Sequence, residues 1–186
     1  MPKLPMPEGV TFPDLNAVML DIAPLDVIGH LGDGTSPDDL FYGDTERLKY
    51  AQGAVAEKQA HLTLLFGIHP SRNYVPSVEA VLRGWKPELI SIEKVDFFEP
   101  IVEGQDYKVI VGKVRKSKNL LDANARLSEL NYSNQFDTWE PHITLAYIKG
   151  SADVDKWVLY LDEVYGGQTF EPVQLNYGNG THSRNF

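Results

Sequence analysis

The chain has 186 residues, 42% of them apolar, with three Trp, eight Phe and nine Tyr. That is enough to bury a core, which excludes a disordered chain. Cysteine is absent, so disulfides, thiolate nucleophiles, zinc–thiolate sites and iron–sulfur clusters are excluded, and a net charge of −9 disfavours a broad nucleic-acid-binding surface.

Residues 1–15 read as an arm, because Pro2, Pro5, Pro7 and Pro13 fix φ and remove backbone donors. The first eleven residues hold no apolar run, so no signal peptide is expected there. No segment reaches the ~18 uninterrupted apolar residues of a membrane helix, and the expectation is a cytoplasmic protein. Asn16–Ala23 reads as a strand. Residues 29–43 form a Gly/Asp-rich loop, read either as a lid or as an acidic surface excursion. A helix is expected over 44–58, then a strand at His61–Ile68, a short helix at Pro76–Trp85 capped by Ser77, and a strand at Leu89–Phe98.

The second half repeats this order. Tyr107–Arg115 reads as a strand, Asn119–Leu130 as a helix, and Pro141–Ile148 as a strand. A helix over Ala152–Tyr165 has Val154, Trp157, Val158 and Leu161 at helical spacing. Thr169–Tyr177 closes the order as a strand, and 179–186 reads as a polar tail. The expected architecture is one α+β domain of two pseudo-two-fold lobes, about 16–100 and about 105–178. Two antiparallel sheets would line a central groove, with helices outside.

The chemistry lies in a repeated His-x-Thr. His61-Leu62-Thr63-Leu64 matches His142-Ile143-Thr144-Leu145, 81 residues later. Strand side chains alternate faces, so each His shares a face with its Thr. Two facing imidazoles suit proton transfer at both ends of a phosphodiester, and Thr hydroxyls suit its non-bridging oxygens. The bland reading is two structural histidines in apolar strands; the matched pair argues against it. A metal site would need a further ligand beyond the two histidines, for which His69 is nearest in sequence. No metal and no cofactor are expected. Phe66 and Tyr147 stand five residues after each His, an odd offset that reads as the opposite, core face.

AHLTLLFG and EPHITLAYI resemble the paired signatures of the two-histidine (2H) phosphoesterases, which include 2′-5′ RNA ligase-like proteins and cyclic phosphodiesterases. The resemblance spans about residues 16–178. It implies that His61, Thr63, His142 and Thr144 are the catalytic set. It also implies metal-free cleavage of a cyclic nucleotide, a cyclic oligonucleotide or a 2′-linked phosphodiester. Small phage relatives act on cyclic oligonucleotide immune signals. Many relatives carry an Arg shortly after the second motif, where this chain has Tyr147 and then Lys149.

Further substrate contacts are expected from Tyr42, Tyr74 and Trp139 as stacking residues, with Phe41 beside them, and from Lys113, Arg115 and Lys149 as phosphate donors. The alternatives are a cyclic-nucleotide-binding module without turnover and an RNA end-processing or ligase-like enzyme. Ten acidic residues against four basic ones in the first 60 favour a small substrate over long RNA. A monomer without membrane attachment is expected.

Overall fold

The computed structural model describes residues 4–11, 14–41, 60–71, 73–100, 106–133, 136–177 and 182–185. Among these, eight strands and three α-helices form an α+β fold with a mostly antiparallel sheet. The strands are β1 (Asn16–Ile22), β2 (His61–Ile68), β3 (Ile90–Phe98), β4 (Tyr107–Val114), β5 (His142–Lys149), β6 (Thr169–Phe170), β7 (Pro172–Tyr177) and β8 (His182–Asn185). The helices are α1 (Tyr74–Val81), α2 (Lys118–Leu127) and α3 (Val154–Tyr165).

The strands join in one order, β6-β3-β4-β5-β2-β1-β7-β8, rather than as the two separate sheets expected. The junction is narrow: β2 meets β5 at the single pair Leu62–Ile143. Beyond it the two strands part, and other segments take up their free edges. Leu40 bridges to Ile148, and the Phe41 amide donates to the Tyr147 carbonyl at 2.9 Å. On the other side Ile68 bridges to Tyr132, and the Ser133 amide donates to the Gly67 carbonyl at 2.9 Å. Each half also lends its last strand to the other half's pairing. β3 lies beside β4, and β7 lies beside β1.

Helix starts follow local chemistry. Ser117 caps α2 by accepting from the Leu120 amide, and Asp153 caps α3 by accepting from the Lys156 amide. α1 begins at Tyr74, before the predicted start. Pro76 then falls in the first turn, where its missing N–H has no intrahelical partner to lose. Ser77 lies inside this helix and is not its cap. α1 and α2 pack together, and α2 lies under β2. α3 lies under β3 and β4, with Trp157 and Leu161 fully buried.

Two predicted boundaries change. Pro172 cannot donate to a ladder, and the expected closing strand divides into β6 and β7 around Glu171. Part of the expected tail is β8, paired antiparallel with β7. The helix expected over 44–58 lies outside the described residues.

The Gly/Asp loop is fastened down through residue 41. The Trp157 indole N–H donates to Asp39 Oδ2 at 2.9 Å, and the Tyr160 hydroxyl donates to the Asp33 carbonyl at 3.2 Å. Lys149 Nζ donates to the Asp38 carbonyl at 2.5 Å. Ser36 forms a capping box with Asp39.

Candidate active site

Residues directly opposite in an antiparallel pair share a face. Leu62 and Ile143 are opposite and fully buried. Extending that register by one residue sets His61 opposite Thr144 and Thr63 opposite His142. All four therefore stand together on the face away from the core, and all four are half-buried. Each Thr faces the other motif's His, and the two imidazoles are diagonal neighbours.

The register continues outward as two rows across the sheet. One runs Thr144, His61, Asp21, Gln174. The other runs Lys94, Lys113, His142, Thr63, Met19, Asn176. The His/Thr set sits mid-sheet, with lysines on its β4 side and carboxylate and amide groups on its β1 side.

The phase of both strands shifts just after the motifs. The β1–β2 register breaks between its Met19–Thr63 and Val18–Leu65 pairs, and the β4–β5 register between Val111–Thr144 and Ile110–Ala146. Each break is a β-bulge that adds one residue. Leu64 and Leu65 are consecutively buried, as are Leu145 and Ala146. The next residues, Phe66 and Tyr147, return to the His/Thr face. Regular alternation puts both on the core face, as expected above, and the bulge reverses it. The doubled buried apolar position after each Thr was the available signal. Tyr147 packs against Tyr107, whose ring lies 5.1 Å from Phe41. Burial, with Tyr107 adding to it, pushes the Tyr147 hydroxyl above its ordinary value of 10.

His142 is held on two sides. Its Nδ1 is 2.7 Å from the Glu140 carbonyl, which can only accept, so Nδ1 carries the proton. Nε2 of the neutral ring then keeps its lone pair. The Phe98 ring meets the imidazole edge-on at 5.0 Å. Burial lowers the His142 pKa below 6.5, and the charge of His61 adds to this; the Glu140 contacts oppose it without reversing it. His142 is therefore neutral at pH 7. Trp139 donates its indole N–H to the Thr63 carbonyl at 3.1 Å and so ties the approach of β5 to β2.

The lysine flank is a linked group on β3 and β4. Lys113 Nζ lies 2.9 Å from Asp96 Oδ2 and 5.7 Å from the Phe98 ring centroid. Lys94 Nζ is 3.0 Å from the same carboxylate oxygen. Burial pushes the Asp96 carboxyl up, but the two ammonium groups and the Phe97 amide outweigh it and bring its pKa to about 2.

The other expected contacts lie elsewhere. Arg115 pairs with Glu93 on the exposed edge. Lys149 holds the loop at Asp38, at the far end of β5. Tyr74 is buried, with its hydroxyl donating to the Ala17 carbonyl at 2.6 Å, so its ring is not open to a ligand. Tyr42 lies outside the described residues. His69 is engaged at 2.7 Å by Ser133 Oγ, beyond the end of β2. Among the described residues no group of three His, Asp or Glu is placed to hold a metal ion.

The family model of the 2′-5′ RNA ligase superfamily matches residues 37–175, which include both His-x-Thr strands. The chain belongs to that superfamily. It is thus a two-histidine phosphoesterase by descent, as its paired motifs suggested. Among solved structures it is similar to Usb1 of Kluyveromyces marxianus, with a TM-score of 0.55 and 8% identity over 92% of this chain and 96% of that one. The structure of Kluyveromyces marxianus Usb1 with uridine monophosphate gives a TM-score of 0.54 and 8% identity, over 94% and 98%. At that identity the likeness is one of fold. No curated protein matches the sequence. Within the 2′-5′ RNA ligase superfamily frame, the residues that sequence reasoning missed are those whose placement needs strand pairing: Phe66 and Tyr147, Asp96 and Phe98, and Asp21, Gln174 and Asn176.

Proposed function

We propose that this protein is a metal-independent phosphodiesterase acting on a nucleotide-sized substrate: a cyclic nucleotide, a cyclic oligonucleotide or a 2′-linked phosphodiester. The observation that carries this reading is the shared face of His61, Thr63, His142 and Thr144, with the neutral His142 imidazole held by the Glu140 carbonyl.

His142 Nε2 acts as base. It takes the proton of the attacking hydroxyl while His61, protonated, gives one to the leaving oxygen. When water opens a cyclic phosphate, His142 takes the proton of the attacking water and His61 gives one to the leaving sugar oxygen. Thr63 and Thr144 donate to the non-bridging oxygens and favour the transition-state charge. Lys113 adds positive charge one strand from His142. The Tyr147, Tyr107 and Phe41 rings offer a base a stacking surface on the same side. The fold likeness to a protein solved with uridine monophosphate agrees with a nucleotide-sized occupant.

Incubation with 2′,3′-cyclic nucleotides, cyclic di- and trinucleotides and 2′-5′ oligoadenylates, read by mass spectrometry, tests the reaction. At least one is expected to be cleaved at phosphorus with chelator present. Binding without cleavage across the set would favour a binding module instead.

RNA end-processing is the second reading, favoured by the superfamily's own description. The charge separates the two. A long single strand held through many phosphates shows a salt slope near −0.7 per phosphate. For this acidic chain, kcat/KM is expected to vary with salt as for about one or two phosphate contacts. A slope steeper than about −3, with long RNA outcompeting a cyclic dinucleotide, would put RNA processing first.

A further inference from the structure

On the β1–β7 flank of the groove, Asp21 sits beside His61, Gln174 lies one strand beyond Asp21, and Asn176 lies across from Met19. Gln174 Nε2 donates to Asp21 Oδ2 at 2.6 Å, and Asn176 Nδ2 donates to the same oxygen at 3.3 Å. Both amides spend a donor on one carboxylate oxygen, which turns their carbonyl oxygens away from it. Asn176 is only 8% exposed, and among the described residues its Oδ1 has no hydrogen-bond partner. A buried acceptor left unpaired points to a missing donor. Asp21 and Gln174 are part-exposed, so the cluster presents the second oxygen of Asp21 and Gln174 Oε1 as acceptors, while Asn176 Oδ1 is enclosed. The cluster's negative charge repels a phosphate and strengthens bonds from N–H groups.

The spacing suits a base. Neighbouring strands are about 4.8 Å apart. Asp21 and Gln174 are one and two strands from His61, within reach of a base on the sugar whose phosphate is at the His/Thr set. Among common bases guanine alone offers two adjacent donors on one edge, the ring N1–H and the exocyclic amine. In adenine and cytosine the amine neighbours a ring acceptor. In uracil the single N–H lies between two carbonyls.

We infer that Asp21, Gln174 and Asn176 form a nucleobase subsite that selects guanine, an inference that rests on the phosphodiesterase reading of the groove. Asp21 accepts from the N1–H, the Gln174 carbonyl accepts from the exocyclic amine, and Asn176 holds the Asp21 carboxylate in place. The lysine flank adds positive charge on the far side of the His/Thr set from this cluster, so the groove binds the nucleotide in one direction.

The test compares 2′,3′-cyclic GMP with 2′,3′-cyclic UMP by kcat/KM on the full chain. A two-bond match of this kind is worth about 1–3 kcal/mol, so guanine is expected to lead at least about fivefold. Asp21→Asn should bring the two to within about twofold, and Gln174→Leu, which keeps the carboxylate, should shrink the ratio in the same direction. The ratio is read within each variant, so a change in folded fraction does not move it. Calorimetric binding of 3′-GMP and 3′-UMP gives a readout independent of turnover. If neither cyclic nucleotide is cleaved but 3′-GMP binds more tightly, the catalytic reading falls and the subsite stands. Equal binding of the two, or a guanine preference unchanged in both variants, overturns the subsite.

Discussion

His142→Ala is expected to lose about 10²–10⁴-fold in kcat/KM, the usual worth of one positioned proton transfer, and His61→Ala a loss of the same order. Both side chains stand on the outer face of the sheet, while the core beneath is made by Leu62 and Ile143. Truncating either imidazole opens no cavity in that core. The Glu140 carbonyl that receives the His142 N–H lies in a part-exposed setting and turns to water. The folded state should survive, so the loss is one of chemistry. Thr63→Ala and Thr144→Ala each remove one neutral donor and should cost less. A folded His142→Ala protein that keeps more than about a tenth of the wild-type rate contradicts the role of the pair.

Trp157→Ala is expected to produce the largest loss of stability. Trp157 is fully buried under β3 and β4, and its indole N–H donates to Asp39. Large-to-small replacement of such an aromatic costs about 3–5 kcal/mol, and here it also removes the indole donor from Asp39, which is left with the Ser36 amide. At about 2–4 °C per kcal/mol for a chain of this size, thermal melting should fall by roughly 6–20 °C. The consequence reaches the groove. Asp39 belongs to the segment that carries Leu40 and Phe41 onto the free edge of β5, beside Tyr147. A melting shift under about 3 °C would mean that α3 does not anchor this segment.

The sequence displayed the parts of the protein that depend on local pattern. The strand at His61–Ile68 and the helix around Trp157 follow from their periodicity, and the duplicated His-x-Thr named the family. Strand pairing was not legible. Nothing local says that β3 runs beside β4 rather than closing the first half, or that residues 182–185 add a strand next to β7. The face of Phe66 and Tyr147 was misread for a physical reason. A bulge adds one residue and reverses the alternation that follows it, so counting by twos fails past Leu64 and Leu145. The flanks of the site were hidden by the same limit. Asp21 and Lys113 each look like an isolated charge until the register sets one beside His61 and the other beside His142.

The two histidines are not equivalent in their surroundings, and pH reads this out. Burial holds the folded His142 pKa below 6.5. The neutral form is therefore favoured by folding, and its stabilising effect is present above 6.5 and is lost as pH falls through the lowered value. As the base, His142 must be neutral, so activity should persist below pH 6.5 and fall only as His142 becomes protonated.

The most direct measurement is the pH dependence of kcat/KM from pH 4.5 to 9 with EDTA present, on whichever substrate the mass-spectrometric set identifies. One proton donor and one acceptor give a bell, with its acid limb below 6.5 and its height unchanged by the chelator. A plain sigmoid over that range, or loss of activity in EDTA restored by a divalent metal, would contradict acid–base catalysis by His61 and His142.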